Sequence, residues 1–511
     1  MKAGARNSVR LVRGSIWALI VILGASALLL QARLVSEIDL DYGIIGDEGE
    51  MLYTLRAVRM GQPPYRNLAT EPHVLAPYMP LFYFVPGTLA RCFRTDLIGT
   101  LVVGRECVYA FWISVGAMVY ALVVQASGSR VAAGLAALLW LVGYLTPEMA
   151  NSFRPDSAMI FFSLAGVWLY RRSERIEYVV GSTLLLVVAF LYKHSAVCAV
   201  SAILLDTLWH KRWHATVTIL GMWIAGVAIV VITAQILTAG AFGMNVFGSL
   251  LGWAGWPHVE MTLTLVATRG AAVFAGACIA VALSATPRLL RIYFVFAVAL
   301  AIGSSAKFGS GPHYYLEAYA IGCVLTGMLV NEWLTCPVPS WTIVRITWLA
   351  VALAASVLTL GPRLASAPEL GDEIVHHRAI RHQTAEEWER VLDRLHAIGQ
   401  RQLIEDAYLA FRSNTKPVLI NASMLGSMQH NGRFDDSDIV RQINGGRFDA
   451  VVTTEPVDVT GGFRHFPSDW IKLVRTRYRL ADRYGINELG ATFYVYLPKT
   501  TDAKGRGTRA D

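Results

Sequence analysis

Between Ala215 and Leu237 the chain runs without one charged side chain, which is the length a helix needs to cross the ~30 Å hydrocarbon core of a bilayer. Ile16–Leu30, Val131–Leu145 and Ile343–Leu360 approach the same length. A water-soluble fold would have to hide all of these runs, and little polar surface is available to do it. Of 511 residues, 54% are hydrophobic and 16% charged, whereas soluble domains carry about a quarter charged residues. The mean hydropathy of +0.45 agrees. The first run contains a small-residue triplet, Ala25-Ser26-Ala27, of the kind a signal peptidase cuts. The apolar run continues through Leu28-Leu29-Leu30, so it reads as a retained span.

Apolar runs and polar breaks predict eleven spans, near 15–32, 105–126, 131–146, 157–170, 178–192, 195–209, 215–238, 263–285, 291–304, 313–331 and 342–361. Leu75–Leu89 is also apolar but holds Pro77, Pro80 and Pro86, so it reads as a broken, interfacial or re-entrant helix. The net charge of +8 does not point to nucleic acid, because the cations sit in short clusters between apolar runs. With the N-terminus in the cytoplasm, the inner segments hold Lys2, Arg6, Arg10, Arg13, Arg130, Arg171, Arg172, Arg175, Lys211, Arg212, Arg288 and Arg291. The short outer loops hold few: Arg154, Lys193, Arg269 and Lys307. That asymmetry sets the orientation and singles out the outer cations. The six cysteines lie in or beside the spans with no CxxC pair, and they read as small apolar residues.

Two regions stand outside the membrane in this reading. The transmembrane domain, 1–361, includes a long first outer loop, 33–104, and loops of that length usually carry function. The tail, 362–511, alternates helical and strand patterns and reads as a small α/β domain. Its expected elements are a helix at Ala385–Ile398, strands at Gln402–Ile404 and Pro417–Ile420, a helix at Ser437–Asn444, and a strand at Phe448–Thr453. A helix near Asp469–Arg477 and strands at Tyr478–Tyr484 and Thr492–Leu497 complete it. An odd number of spans puts this domain on the extracytoplasmic side.

The polar residues with chemical potential lie on that same side. Asp47 and Glu48 follow the first span; adjacent side chains do not share a helix face, so one could take a proton from a hydroxyl while the other orients it or binds a metal. A solvated acidic loop would explain the pair equally well. Glu71 and His73 lie among prolines and aromatics that would serve as a membrane-interface belt. Arg154-Pro155-Asp156 opens a span: Pro suits a helix start and Asp complements the helix dipole, while Arg154 is left unexplained. Lys193 stands between two apolar runs with almost no loop, where it must snorkel or meet an anion. Lys307 and His313-Tyr314-Tyr315-Leu316-Glu317 open the tenth span. Carboxylates and cations converging at one interface suit an anionic lipid head group and a hydroxyl to be activated.

The order of these motifs resembles the GT-C superfamily of membrane glycosyltransferases, and within it the protein O-mannosyltransferase-like branch, families 39 and 83 with their bacterial relatives. The resemblance rests on Asp47-Glu48, Gly61 to Tyr65, Pro80 to Tyr83, Arg105, Arg154 to Asp156, Lys193 and His313 to Glu317. The tail resembles that of bacterial members through Leu403-Ile404-Glu405-Asp406 and Gly446 to Val452. The resemblance implies a GT-C-like polytopic α-helical membrane protein with an extracytoplasmic α/β domain. It implies a polyprenyl-phosphate sugar donor, a lipid, glycan or protein acceptor, and an inverting single displacement. By the same resemblance Asp47 is the general base and Glu48 supports it. Lys193, Arg154, His313 and Arg105 would meet the donor phosphate, and Glu71, His73, Asp156, Tyr314 and Tyr315 the substrates. Some relatives use a divalent cation, for which Glu48, Glu71 and Asp156 are the candidates. Tyr78-Met79-Pro80-Leu81 departs from the Lys-Pro-Pro-Leu of the branch that modifies lipid A, which argues against a lipid A acceptor.

A non-enzymatic transporter or flippase of lipid-linked sugars is the main alternative. Transporters place ionisable residues near mid-membrane on broken helices. Here the spans are nearly free of charge in the middle, with Asp206 and Glu317 near predicted ends.

Overall fold

The computed structural model describes residues 2–40, 48–143, 145, 147–248, 255–284, 286–307, 310–335, 344, 347–349, 351–352, 386–413, 416–459, 465–486 and 491–499. Asp47, the proposed base, and the boundary expected at 361/362 lie outside these residues.

The first ten expected spans all fall on helices: α1 (Lys2–Glu37), α4 (Leu97–Ser127), α5 (Arg130–Leu141), α6 (Asp156–Tyr170), α7 (Ile176–Tyr192), α8 (Cys198–Trp209), α9 (Trp213–Leu237), α11 (Trp256–Arg269) with α12 (Ala271–Leu283), α13 (Arg288–Ser305) and α14 (Leu316–Thr335). The expected eleventh lies largely outside the described residues. Among the described residues four helices are long and apolar enough to cross a membrane alone: Arg13–Glu37, Leu97–Ser127, Trp213–Leu237 and Arg288–Ser305. This is a multi-pass membrane architecture. The expectation of one continuous span at 263–285 needs correction, since α11 and α12 meet at 89°. Gly270 ends one helix and begins the next. A Cβ there would approach Phe274 Cδ2 to 2.8 Å.

Local signals set the helix ends. Asp96 caps α4 by accepting the Gly99 amide at 2.7 Å, and Gly128, at φ 71°, closes it in the left-handed conformation. Ser129 then caps α5. α14 is buried on every side from Leu316 to Val330 and packs against α4, α5, α12 and α13, which makes it the axis of the bundle.

The described part of the first loop is structured. It holds α2 (Glu48–Arg59), β1 (His73–Val74) and α3 (Pro80–Cys92). α3 is the broken apolar segment of the sequence reading: Pro80 starts it where no amide donor is needed. Phe82, Tyr83 and Ala90 face inward while Phe84, Leu89 and Phe93 remain exposed.

The described part of the tail begins with a helix at 386–398. Its sheet runs β3-β2-β5-β7-β6, with β2 (Arg401–Ile404) parallel to β3 (Lys416–Pro417) and β5 (Ala450–Thr453), and β7 (Ala491–Pro498) antiparallel to β5 and β6 (Tyr478–Ile486). Short helices, including one at Ala407–Arg412 and one at Ser437–Asn444, cover it. The single strand expected at Pro417–Ile420 divides. Lys416–Pro417 stays in this sheet, whereas β4 (Leu419–Ile420) turns away to pair in parallel with β1 of the first loop. Between them, Val418 O accepts the His73 amide at 2.9 Å. Gly49 of α2 completes the docking, because a Cβ at that position would lie 2.3 Å from the Tyr408 amide nitrogen.

Candidate active site

α6 starts at Asp156 and α7 ends just before Lys193, so antiparallel packing brings the two residues to the same end of the bundle. Lys193 Nζ donates to Asp156 Oδ1 at 2.6 Å. Both side chains are nearly buried. Lys193 occupies an extended C-cap, which directs its stem back across α6, and its ammonium lies 5.1 Å from the Tyr314 ring centroid. Arg154 approaches from the loop before α6: its Nε lies 3.7 Å from Asp156 Oδ2, and Nη2 donates to Tyr78 Oη at 3.1 Å.

The same Nη2 lies 3.1 Å from His313 Nε2. A guanidinium can only donate, so Nε2 carries the lone pair, and His313 is a neutral imidazole protonated on Nδ1. Its ring packs on Tyr314 at 4.7 Å. The cluster therefore draws on the first loop, two helix ends and the turn before α14. A cavity of about 20 Å³ lies among Asp156, Lys193, His313 and Glu317, room for about one water molecule. Glu317 closes it from α14 and accepts Tyr293 Oη at 2.7 Å.

Two further groups surround Lys193. Burial, then the charge of Lys193, pushes Lys307 down to about 8. Burial, then Lys193 and Lys307, pushes His194 down to about 3, so its imidazole stays neutral. Cations thus crowd one another here, an arrangement that favours an incoming anion.

Other predicted site residues lie elsewhere. Arg105, expected at the phosphate, is wholly buried. Its Nε and Nη2 donate to Glu48 Oε1 and Oε2 at 2.9 and 2.7 Å, and Nη1 donates to the carbonyls of Ile38 and Leu40. Such a guanidinium cannot turn to a ligand without abandoning buried acceptors. Glu48, expected to assist catalysis, also accepts the Phe153 amide at 2.8 Å, and so fixes the backbone immediately before Arg154. Glu71 accepts from Arg401 at 2.8 and 3.1 Å and from Gln442 at 3.0 Å, both in the tail. His73 Nδ1 donates to Leu68 O at 2.7 Å, and its ring packs on Phe434. These two residues join loop to tail. Tyr315 is buried against Phe274. Glu48, Glu71 and Asp156 therefore do not converge, and among the described residues no group of three or more His, Cys, Asp or Glu side chains is placed to hold a metal.

Sequence reasoning did not single out Tyr78 for the site and assigned Lys307 and Glu317 no specific role. Each interrupts or borders an apolar run, which is the signal that marks it.

The basic loops gather at the opposite end. There Asp206 accepts from Tyr170 Oη at 3.2 Å and lies 3.7 Å from Arg288, and Arg212 pairs with Glu174.

Among solved structures, ArnT from Cupriavidus metallidurans in the apo state superposes with a TM-score of 0.60 over 93% of this chain and 97% of that one. The sequence identity is 13%. This chain therefore shares the fold of that protein. The same protein bound to undecaprenyl phosphate gives a TM-score of 0.59 at 13% identity, with the same coverage. The apo oligosaccharyltransferase of Archaeoglobus fulgidus superposes at 0.49 and 11% identity over 95% of this chain and 75% of that one. No protein-family model matches the sequence, and no curated protein matches it.

Proposed function

We propose that this chain is a glycosyltransferase that moves a sugar from a polyprenyl-phosphate donor to an acceptor hydroxyl at the outer face of the cytoplasmic membrane. The observation that carries this reading is the buried cluster of Arg154, Lys193 and neutral His313 around Asp156. It lies at the bundle end that bears the first loop and the tail. The GT-C fold, and the binding of undecaprenyl phosphate by one protein that shares it, support the choice of donor.

In this mechanism an acceptor oxygen attacks the anomeric carbon of the donor sugar. The new C–O bond forms as the bond to the phosphate oxygen breaks, and configuration inverts. Asp47 takes the hydroxyl proton. The leaving phosphate keeps the electron pair, and its charge is met by Lys193 and Arg154, cations already aimed and partly desolvated. Asp156 holds both in place until the donor arrives; the phosphate then competes for Lys193, whose stem can swing while Arg154 stays tethered to Tyr78 and His313. Glu48 and Arg105 act as positioning residues for the segment that carries Arg154. A divalent cation, if used, would need carboxylates beyond the three expected from sequence. The N-terminus lies in the cytoplasm and the tail outside.

Two measurements test the reading. Transfer from a defined polyprenyl-phosphate sugar should be detectable with the purified chain in liposomes and should need much more donor in Lys193→Ala. Mass spectrometry of cell-envelope glycans with and without the protein should show one glycoform missing, which would also identify the sugar and acceptor. Unaltered glycans together with no transfer in vitro would overturn it.

A further inference from the structure

A cleft of about 750 Å³ opens between the first loop and the tail, within the ~300–1,000 Å³ range of small-molecule sites. Tyr53, Arg56 and Met60 line it from α2, Arg66 and Pro72 from the following segment, and Arg401 from β2 of the tail. It shares no lining residue with the Asp156 cluster. Arg56 stands eight residues along α2 from Glu48, a rise of about 12 Å.

The charge of the cleft is lopsided. Three arginines from three segments face it, with Glu71 the one acid among its described lining residues. Glu71 is already bound to Arg401 and Gln442. Arg66 donates to the neutral amide of Gln62, so no carboxylate offsets it there. Forked guanidiniums converging from separate segments match the oxygens of a phosphate group.

The surroundings indicate where such a phosphate comes from. At the rim, a Cβ on Gly61 would lie 3.3 Å from Arg91 Nη1, so the cleft abuts the C-terminal end of α3. That helix leaves Phe84, Leu89 and Phe93 exposed at 43, 37 and 69%, and Met60 at the rim is 55% exposed. Arginines beside outward apolar side chains suit a molecule with an anionic head and acyl tails.

We propose that this cleft binds the phosphate head group of an anionic membrane phospholipid, whose acyl chains lie along α3. The lipid bridges first loop and tail, since Arg56 and Arg66 belong to one and Arg401 to the other. This role is separate from sugar transfer.

The test uses the full chain reconstituted in nanodiscs of mixed phosphatidylglycerol and phosphatidylcholine, then released into detergent for native mass spectrometry. Phosphatidylglycerol should be retained at least tenfold over phosphatidylcholine. R56A/R66A should lose that preference, and R66K should keep it; circular dichroism confirms that each variant is folded, and R66A alone replaces the double variant if that one does not fold. Equal retention of the two lipids, or full retention of phosphatidylglycerol by a folded R56A/R66A or R66A, would overturn the proposal. Soluble glycerol 1-phosphate at millimolar concentration provides the second arm. If it displaces phosphatidylglycerol completely, the acyl chains contribute nothing and the lipid assignment fails; if displacement is weak, the assignment stands.

Discussion

Glu48 and Arg105 face each other as a bidentate ion pair, at 2.9 and 2.7 Å, with neither side chain reached by solvent. Removing one partner of such a pair leaves an uncompensated buried charge, at a cost of about 3–5 kcal/mol. Glu48→Gln should therefore lower the thermal unfolding midpoint of the purified protein markedly. Substituting both residues, as E48Q/R105M, should recover much of the loss. A stable but inactive E48Q would instead give Glu48 a direct part in chemistry.

Lys193→Ala should weaken donor binding more than it weakens the fold. A hydrogen bond to a charged group is worth about 1.5–3 kcal/mol, so KM for the lipid donor should rise roughly tenfold to a hundredfold. Asp156→Asn should act differently, because it releases Lys193 and Arg154 from their holder and lowers kcat as well. The comparison is made by steady-state kinetics in liposomes, and identical profiles for the two variants would count against these separate roles.

Lys307 gives the site a pH dependence. Its folded value of about 8 lies below the ordinary 10.5, so its charge is lost as pH rises through 8. Donor affinity should then fall between pH 7 and 9, and Lys307→Arg should carry full affinity to higher pH. The stability effect has the opposite sign. Without donor, the unfolded chain binds more protons at this side chain between pH 8 and 10.5, so the contribution of Lys307 to stability improves over that interval. Binding isotherms and thermal melts at pH 7, 8 and 9 separate the two effects.

Gly49→Val should loosen the tail from the first loop, because no side chain fits against the backbone of Ala407 and Tyr408. Limited proteolysis should cut near the tail faster than in the unaltered protein while the helical bundle stays intact.

Asp47→Asn should abolish sugar transfer and leave membrane insertion unchanged. Normal turnover by this variant would remove Asp47 as the base.

Much of the bundle could be read from the sequence because bilayer physics writes helices as long runs without charge. The same physics made Arg154 and Lys193 conspicuous, since a cation at the edge of such a run needs a reason. What the sequence did not disclose is who pairs with whom. Glu48 and Arg105 are 57 positions apart, and nothing local distinguishes an arginine spent on a buried glutamate from one that awaits a phosphate. Glu71 meets its partner Arg401 across 330 positions. Pro417–Ile420 has the composition of one strand, and only tertiary contact with His73 splits it between two sheets. Gly270 falls inside the span expected at 263–285, and the bend there depends on how α12 packs.

The two-residue ladder between His73–Val74 and Leu419–Ile420 joins segments made early and late in synthesis. Until the chain has grown past Ile420, β1 has an unsatisfied strand edge, and a tail produced alone would leave the matching edge at β4 open. Open edges invite pairing with other chains. Assembly of the first loop is therefore completed only by the last quarter of the polypeptide, so a truncated product would be left with a sticky, incomplete platform beside the reactive end of the bundle.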